Sequence, residues 1–454
     1  MRRHLSGRLA LAIGVLMAAP YAATAQSGAW ALTNARIETV TRGVIDGGTI
    51  IIRDGIIEAV GVGIPIPPDA RVLDLATKTV YPGFMDLTST IGLPAPPAPR
   101  APGNVQAAIF GGAVDTTQRN VGLEPDRLLA NEIRPALADV QAARDAGITT
   151  ALVAPSRGLF RGQSALIPLR DDTATRWTVR SPVALHMGYQ TVPGRYPGSL
   201  LGVIAYQRQA LLDAQRHALL VERSKANTRS ARPSYDADLE ALVPAVKGEM
   251  PTFVAAGNEN EIRRAVALGK EFNLKLSVVG AVEGFRAVDV LRGQRLPIVT
   301  VDYPDPTAVT GWNYRGATRN QLDDSATRSV TARKEIEGNA AALSAAGIKF
   351  ALASGGLRPA EFLGNVKKAI AAGLPRQTAL EGLTIRAAEA AGVQEQLGSI
   401  EAGKIANLLV MRGEALTDGG VLEAVFIDGL RYAVIAQPAE RRPGGGRPGP
   451  EEHK

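Results

Sequence analysis

The sequence predicts an α/β fold: a (β/α)8 barrel joined to a small β-sheet domain that takes strands from both chain ends. In the central part of the chain, strands and helices alternate at the spacing of a parallel barrel. Short strands rich in Ile, Val and Thr precede and follow it, each group with an Asp-Gly pair typical of a tight hairpin. The 454 residues are enough for a barrel of about 250 residues and a smaller domain.

Residues 1–25 are predicted to be a signal peptide. Arginines precede an apolar run from Leu9 to Ala19, and Ala23-Thr24-Ala25 supplies the small residues of a cleavage site. The run is shorter than the roughly 20 apolar residues that span a bilayer. We therefore expect an exported protein, periplasmic or secreted, with no membrane span after signal removal.

Charge and composition exclude several classes of function. Without the three signal arginines, the 51 basic residues become 48 against 44 acidic ones, a net charge of +4. These basic residues are spread along the chain, so no nucleic-acid partner is expected. The chain has no cysteine, which excludes disulfides, a thiol nucleophile and zinc–thiolate sites.

The strands at the two chain ends are predicted to share one sheet. Hairpins are indicated at Asp54-Gly55 and Asp428-Gly429, because glycine tolerates the positive φ of a tight turn. The predicted strands are 31–40, 48–53, 56–60, 71–74, 407–411 and 424–427. Residues 437–454 are rich in Gly and Pro and are predicted to be disordered.

The barrel pattern is clearest from Ala136 to Pro155, where a helix ending at Gly147 precedes a strand of Ile, Thr and Val. Two regions interrupt the alternation. Pro94–Leu128 is rich in Pro, Gly and Ala and is predicted to shape the barrel mouth or a lid. Gly202–Ser230 is predicted to be a basic amphipathic helix that covers an edge of the barrel, or else contacts a membrane or a partner.

Two motifs carry a resemblance to a known family. YPGFMDLTST (Tyr81–Thr90) resembles the PGFxDxHxH motif of the amidohydrolase superfamily, and GSIEAGKIANLLVM (Gly398–Met411) resembles its GxIExGKxADLxV strand, with Asn407 in place of Asp. The nearest likeness is to exported imidazolonepropionase-like and dihydroorotase-like hydrolases. It implies a barrel at 82–397 inserted in a composite β-sandwich of residues 26–81 and 398–436.

The resemblance also implies zinc or a similar divalent metal, held by histidines at strand ends and an aspartate. In this chain other residues stand at every position that can be matched: Thr88, Thr90, Ala255, Gly280 and Gly355. We therefore expect no metal cofactor.

A count of histidines supports that expectation. His4 lies in the signal peptide and His453 in the tail, which leaves His186 and His217 for the folded part. A hydrolytic zinc site takes about three protein ligands, usually with two or more histidines. A carboxylate-only site, built from Asp86, Glu259 and Glu283, stays open and would suit calcium or magnesium better.

Arg161-Gly162-Gln163-Ser164 lacks the second glycine of a G-x-S-x-G nucleophile elbow. It resembles the GQSA segment of exported relatives, and we predict a turn at the barrel mouth. The chain has no phosphate-binding loop and no dinucleotide fingerprint.

Two functions remain open, besides an unusual metal site or a purely structural role. In the first, a metal-free, catalytically degenerate barrel binds a small molecule or a partner, either a homologous amidohydrolase subunit or a second copy of this chain. In the second, the protein hydrolyses carbon–nitrogen bonds without the usual metal site, with Asp86 or Glu283 as general base and Thr88 or Ser89 polarising the substrate. The candidate catalytic residues are Asp86, Thr88, Thr90 and Glu283, and the candidate substrate-binding residues are Ser89, His186, Glu259 and Ser354.

Overall fold

The computed structural model describes residues 28–94, 123–171, 178–190, 197–227, 229–303 and 330–434. The predicted signal peptide, the predicted tail and most of the predicted mouth loop lie outside the described residues.

The strands, in chain order, are β1 (Trp30–Glu38), β2 (Val44–Arg53), β3 (Ile56–Gly61), β4 (Arg71–Asp74), β5 (Lys78–Pro82), β6 (Phe84–Ser89), β7 (Ile148–Val153), β8 (Phe160–Gln163), β9 (Ala165–Pro168), β10 (Leu185–Gly188), β11 (Thr252–Ala256), β12 (Leu276–Gly280), β13 (Ile298–Thr300), β14 (Ala351–Ala353), β15 (Leu408–Arg412), β16 (Val421–Ile427) and β17 (Leu430–Ala433). The helices are α1 (Leu137–Asp145), α2 (Leu200–Ala226), α3 (Ala237–Val246), α4 (Glu259–Glu271), α5 (Val288–Leu291), α6 (Asn339–Ala345), α7 (Pro359–Ala371), α8 (Arg376–Leu383) and α9 (Ile385–Ala391).

Both chain ends contribute to one eight-stranded sheet, with the order β17-β16-β15-β5-β1-β2-β3 and β4 beside β1. β5 pairs with β15 in antiparallel register, Val80 opposite Val410. The sheet folds over on itself, because the Ile57 amide donates to the Lys404 carbonyl at 2.8 Å and so brings β3 to the segment before β15. The strands of both chain ends thus lie in one sheet, as the sequence predicts.

The two predicted Asp-Gly turns pack against each other in this sheet. Asp54 and Gly55 have φ values of 49° and 81°, and Asp428 and Gly429 have 49° and 74°. A Cβ at position 55 would lie only 2.9 Å from the Asp428 carbonyl oxygen. Glycine is therefore required there both for its positive φ and for the close approach of the two backbones.

Asn407 fastens the composite sheet to the barrel. Its Oδ1 accepts from the Asp428 amide at 2.8 Å, and its Nδ2 donates to Thr150 Oγ1 at 3.1 Å on β7. The side chain is buried; its hydrogen bond to Thr150 is shielded from water, and the one from Asp428 is partly shielded.

Among the described residues, seven strands of the barrel wall form two parallel groups, β6 with β7 and β10 to β14. Between β7 and β10 runs an antiparallel segment, Phe160 to Pro168, in which β8 pairs with β10 and β9 with β7. The prediction of a turn at Arg161–Ser164 is wrong, and so is an all-parallel barrel. Phe160 and Leu166 are buried, and burying such side chains favours a strand inside the wall over an exposed loop.

Helix α2 covers the outside of the barrel beside β10, as the plainer sequence interpretation predicted. Its buried face includes Val203 and Leu211, and Gln207 Nε2 donates to the Gly188 carbonyl at 2.9 Å. His217 on the same face contacts Glu240 Oε1 at 3.0 Å through Nε2. Across the described ranges, no helix is both long and apolar enough to cross a membrane.

Candidate functional site

A cavity of about 400 Å³ lies where the carboxyl ends of the barrel strands converge, and is called the mouth cavity below. The ends of β6, β11, β12 and β13 and the residues after β7 and β14 line it. All five positions matched to the family's metal ligands face this one space: Thr88, Thr90, Ala255, Gly280 and Gly355.

The side chains around the mouth cavity do not fit the family's zinc. The residues there with strong metal-ligand chemistry are His186, Glu261 and Asp302. In the part of the chain that the structure describes, no three His, Cys, Asp or Glu side chains are grouped so that they could hold a metal. Gly355 has a φ of 69°, and a Cβ there would lie 2.7 Å from Asp302 Cγ. Asp302 thus fills the space into which an aspartate at 355 would extend.

Asp86, a candidate general base, lies at the seam between β6 and β14. Its Oδ1 accepts from the amides of Ser354 at 3.0 Å and Thr88 at 3.2 Å, and its Oδ2 accepts from Ser354 Oγ at 2.8 Å. No backbone ladder joins β6 to β14 in the described residues, so the carboxylate bridges the two strands. Burial raises its pKa, and the hydrogen bonds from Ser354 and Thr88 oppose that shift.

A second cavity of about 680 Å³ lies beside the contact between β6 and β14. Asp86, Ser89 and Ser354 line the second cavity and are not among the residues that line the mouth cavity; Thr90 lines both. The structure therefore separates these three candidates from His186, whereas Thr88 faces the mouth cavity and is also hydrogen-bonded to Asp86.

Glu283 and Glu259 lie together at the start of α4. Glu283 Oε2 accepts from the Glu259 amide at 2.9 Å, where a helix leaves its first amides unpaired. Glu259 Oε1 pairs with Arg263 Nε at 2.9 Å. Neither carboxylate is among the residues lining the mouth cavity, and neither lies with Asp86, so the three do not form the carboxylate-only metal site left open above.

His186 does face the mouth cavity. It is 5% exposed, and its ring meets Phe253 edge-on at 5.4 Å. Its Nε2 has no hydrogen-bond partner among the described residues. Burial, and secondarily the charge of Arg161, lowers the pKa of His186 to about 3, so the imidazole is neutral at physiological pH.

Arg161 is a site residue that the sequence analysis missed. Its side chain is 7% exposed, and Nε donates to the Gly158 carbonyl at 3.1 Å. Its terminal nitrogens have no hydrogen bond or ion pair within the described ranges. Burial lowers its pKa to about 10, which leaves the guanidinium charged. The side chain crosses Gly188, where any Cβ would overlap its Nη2.

Tyr189 and Asp302 complete the polar lining. Tyr189 is 8% exposed, and in the described part of the chain its hydroxyl has no partner. Burial raises the pKa of Tyr189 and also that of Asp302. Both residues come just after barrel strands, which is the one sequence signal that could have identified them.

Comparison with known proteins supports the fold and the family. A family profile described as "Amidohydrolase family" matches residues 208–431. An amidohydrolase from Thermotoga maritima MSB8 has a similar structure, with a TM-score of 0.71, 22% identity, and coverage of 88% of this chain and 98% of that one. No curated protein matches the sequence.

Two further solved structures are similar at lower scores. A putative prolidase from Bifidobacterium longum has a TM-score of 0.53 and 18% identity, covering 92% of this chain and 96% of its own. A Xaa-Pro dipeptidase solved with methionine in its active site has a TM-score of 0.52 and 17% identity, covering 89% and 100%. At these identities the likeness concerns the fold alone.

Proposed function

This chain belongs to the amidohydrolase superfamily, and from that premise we propose that it is an exported ligand-binding protein that works without the family's metal. Its ligand occupies the mouth cavity. The proposal treats the barrel as a retained scaffold and the family's hydrolytic centre as lost, since a fold does not carry an activity when the site residues differ.

One observation carries the proposal. Five positions matched to metal ligands line a single cavity, yet their side chains are hydroxyls, methyl groups or hydrogen. A neutral threonine hydroxyl is a poor ligand for a cation such as zinc, and alanine and glycine offer no side-chain ligand. Among the described residues, two buried polar atoms of side chains that line this cavity, His186 Nε2 and the Tyr189 hydroxyl oxygen, have no protein partner, and a bound ligand would satisfy them.

The test begins with elemental analysis of mature protein purified without added metal or chelator. We expect far less than one zinc, iron, manganese or nickel per chain and a melting temperature that chelator does not change. A metal bound well above its Kd would add several kcal/mol of stability that chelation removes. About one transition metal per chain with a chelator-sensitive melting temperature would overturn the proposal.

Ligand binding is tested by thermal shift with a diverse set of fragments. Ala255→Phe fills part of the mouth cavity and should abolish the shifts. Ala205→Phe, on an exposed position of α2, is the matched control and should leave them intact. Shifts that survive Ala255→Phe would place the ligand elsewhere and count against the mouth cavity.

Asp302 favours a second candidate, a hydrolase that cleaves carbon–nitrogen bonds without metal. It is a carboxyl group with a raised pKa that faces the cavity, as a general base requires, whereas Asp86 and Glu283 are committed to backbone amides. Turnover of dipeptides, N-acyl amino acids or cyclic amides that survives chelator and falls about 10²-fold or more in Asp302→Asn would establish this candidate.

A further inference from the structure

We infer that the mouth cavity binds the carboxylate group of a small organic monoacid, held by Arg161 with Tyr189 and His186. The inference rests on the proposed ligand-binding function and specifies its ligand class. It starts from a buried cation, the Arg161 guanidinium, that forms no ion pair among the described residues.

A buried guanidinium normally has a carboxylate or several carbonyl groups as partners, because removing it from water is costly. Arg161 has one hydrogen bond, from Nε to Gly158, and no ion pair in the described residues. The carboxylate of Glu261 acts on it only at a distance, since Glu261 Oε2 accepts from the Gly257 amide at 2.9 Å. The terminal nitrogens of Arg161 are therefore free to bind an anion.

Two glycines, Gly162 and Gly188, allow the Arg161 guanidinium to take its position. Gly162 has a φ of 101°, a conformation that side chains disfavour, and it bends β8 just after Arg161. Gly188 on β10 has no side chain where the guanidinium crosses it. Arg161 therefore lies against Gly188, which is next to Tyr189 and two positions from His186, and all three side chains line the mouth cavity.

These donors match a carboxylate better than a phosphate. The planar guanidinium pairs with the two oxygens of a carboxylate, and the Tyr189 hydroxyl and the neutral His186 imidazole each donate one more hydrogen bond. Glu261 and Asp302 line the same cavity and would repel a second negative charge. A cavity of about 400 Å³ also limits the ligand to a small molecule.

The test uses four monocarboxylates (acetate, phenylacetate, benzoate and N-acetylglycine), the primary amide of each, and inorganic phosphate. Binding to the full mature chain is measured by calorimetry and thermal shift. We expect at least one carboxylate to bind, its amide to bind at least about tenfold more weakly, and phosphate not to bind.

Arg161→Gln should weaken carboxylate binding by at least about tenfold, while the apo protein keeps or gains melting temperature because a buried unpaired charge is gone. Arg157→Gln, an exposed arginine in the same segment, removes the same charge and should leave binding unchanged. Arg161→Lys keeps the charge without the planar fork and should give an intermediate loss, and it replaces the glutamine variant if that variant fails to fold.

The outcomes separate the two proposals. The carboxylate assignment would be overturned if carboxylates bound the Arg161→Gln variant as tightly as the wild-type protein. It would also be overturned if phosphate bound more tightly than every carboxylate. Neutral or cationic fragments that bind in an Ala255→Phe-sensitive way while no carboxylate binds would overturn it too, but leave the ligand-binding function standing. If no compound binds, both fall. Carboxylate binding to a protein with stoichiometric metal would refute only the metal-free function.

Discussion

Replacing Asp86 by alanine should lower the free energy of unfolding by about 4 kcal/mol, whereas Asp86→Asn should stay within about 1 kcal/mol of wild type at neutral pH. Asp86 accepts four hydrogen bonds, two from Ser354 and two from Thr88, of which the one from Thr88 Oγ1 is long at 3.5 Å. Hydrogen bonds to a charged group contribute about 1.5 kcal/mol or more each, and alanine would leave buried amides without a partner. Removing the buried charge offsets only part of that loss.

Asparagine can keep the same contacts. Its Oδ1 would accept from both amides, and its Nδ2 would donate to Ser354 Oγ, because a hydroxyl can also accept. The raised pKa of Asp86 means that the folded state binds the proton more tightly than the unfolded chain. Its contribution to stability is therefore full below the ordinary value of 3.8 and is lost as the pH rises through the folded-state pKa. Asp86→Asn should lack that decline.

Urea denaturation followed by circular dichroism, at a series of pH values from 3 to 7, measures both effects. Asp46→Asn is the control, since Asp46 forms only an exposed ion pair with Arg36 and should change stability by less than about 1 kcal/mol. If Asp86→Asn destabilises the protein as much as Asp86→Ala does, Asp86 does not act as the hydrogen-bonded link between β6 and β14 described above. If it folds normally but abolishes a measured turnover, Asp86 belongs to the chemistry instead.

Three more predictions concern the two domains. Truncation after Leu397 removes β15 to β17 and should give insoluble or unfolded protein, because β5 loses its partner; a soluble product with cooperative melting would contradict this. Asn407→Ala should cost about 2 to 3 kcal/mol in urea denaturation through the loss of one buried and one partly buried hydrogen bond, and an unchanged midpoint would refute that role. Gly355→Ala should lower the melting temperature more than Gly356→Ala, since both have positive φ but only a Cβ at 355 meets Asp302; equal effects would show that the contact is unimportant.

The parts of the fold that sequence predicted are those fixed by local chemistry. Asp54-Gly55 and Asp428-Gly429 form the expected hairpins because only a few residues decide a tight turn. Strand and helix alternation likewise predicted the barrel elements. The meeting of Thr88 with Gly280 in one cavity followed from the family resemblance, and no local pattern could have supplied it.

The parts that sequence missed depend on distant residues. The sequence predicts a turn at Arg161 because its segment resembles the GQSA segment of exported relatives. Its strand forms by pairing with β10, about 25 positions later, and its side chain fits only because residue 188 is glycine. The motif of Asp86 indicates a catalytic residue, but Ser354, 268 positions later and just after β14, donates two of the hydrogen bonds that hold its carboxylate. Register and burial of this kind are tertiary properties that no short window contains.

The pairing of β5 with β15 sets an order of events during synthesis. Val80 meets Val410, 330 positions later in the chain, so β5 has an open hydrogen-bonding edge until nearly the whole polypeptide has been made. Contacts at such separation also slow folding, because the loop must close before the strands gain from pairing. The sheet of the nascent chain therefore stays incomplete until β15 to β17 leave the ribosome. Until then, the open edge of β5 can pair with other chains. A chain that ends before β15 lacks the strand that pairs with β5. The sheet can therefore be completed only by the full-length polypeptide.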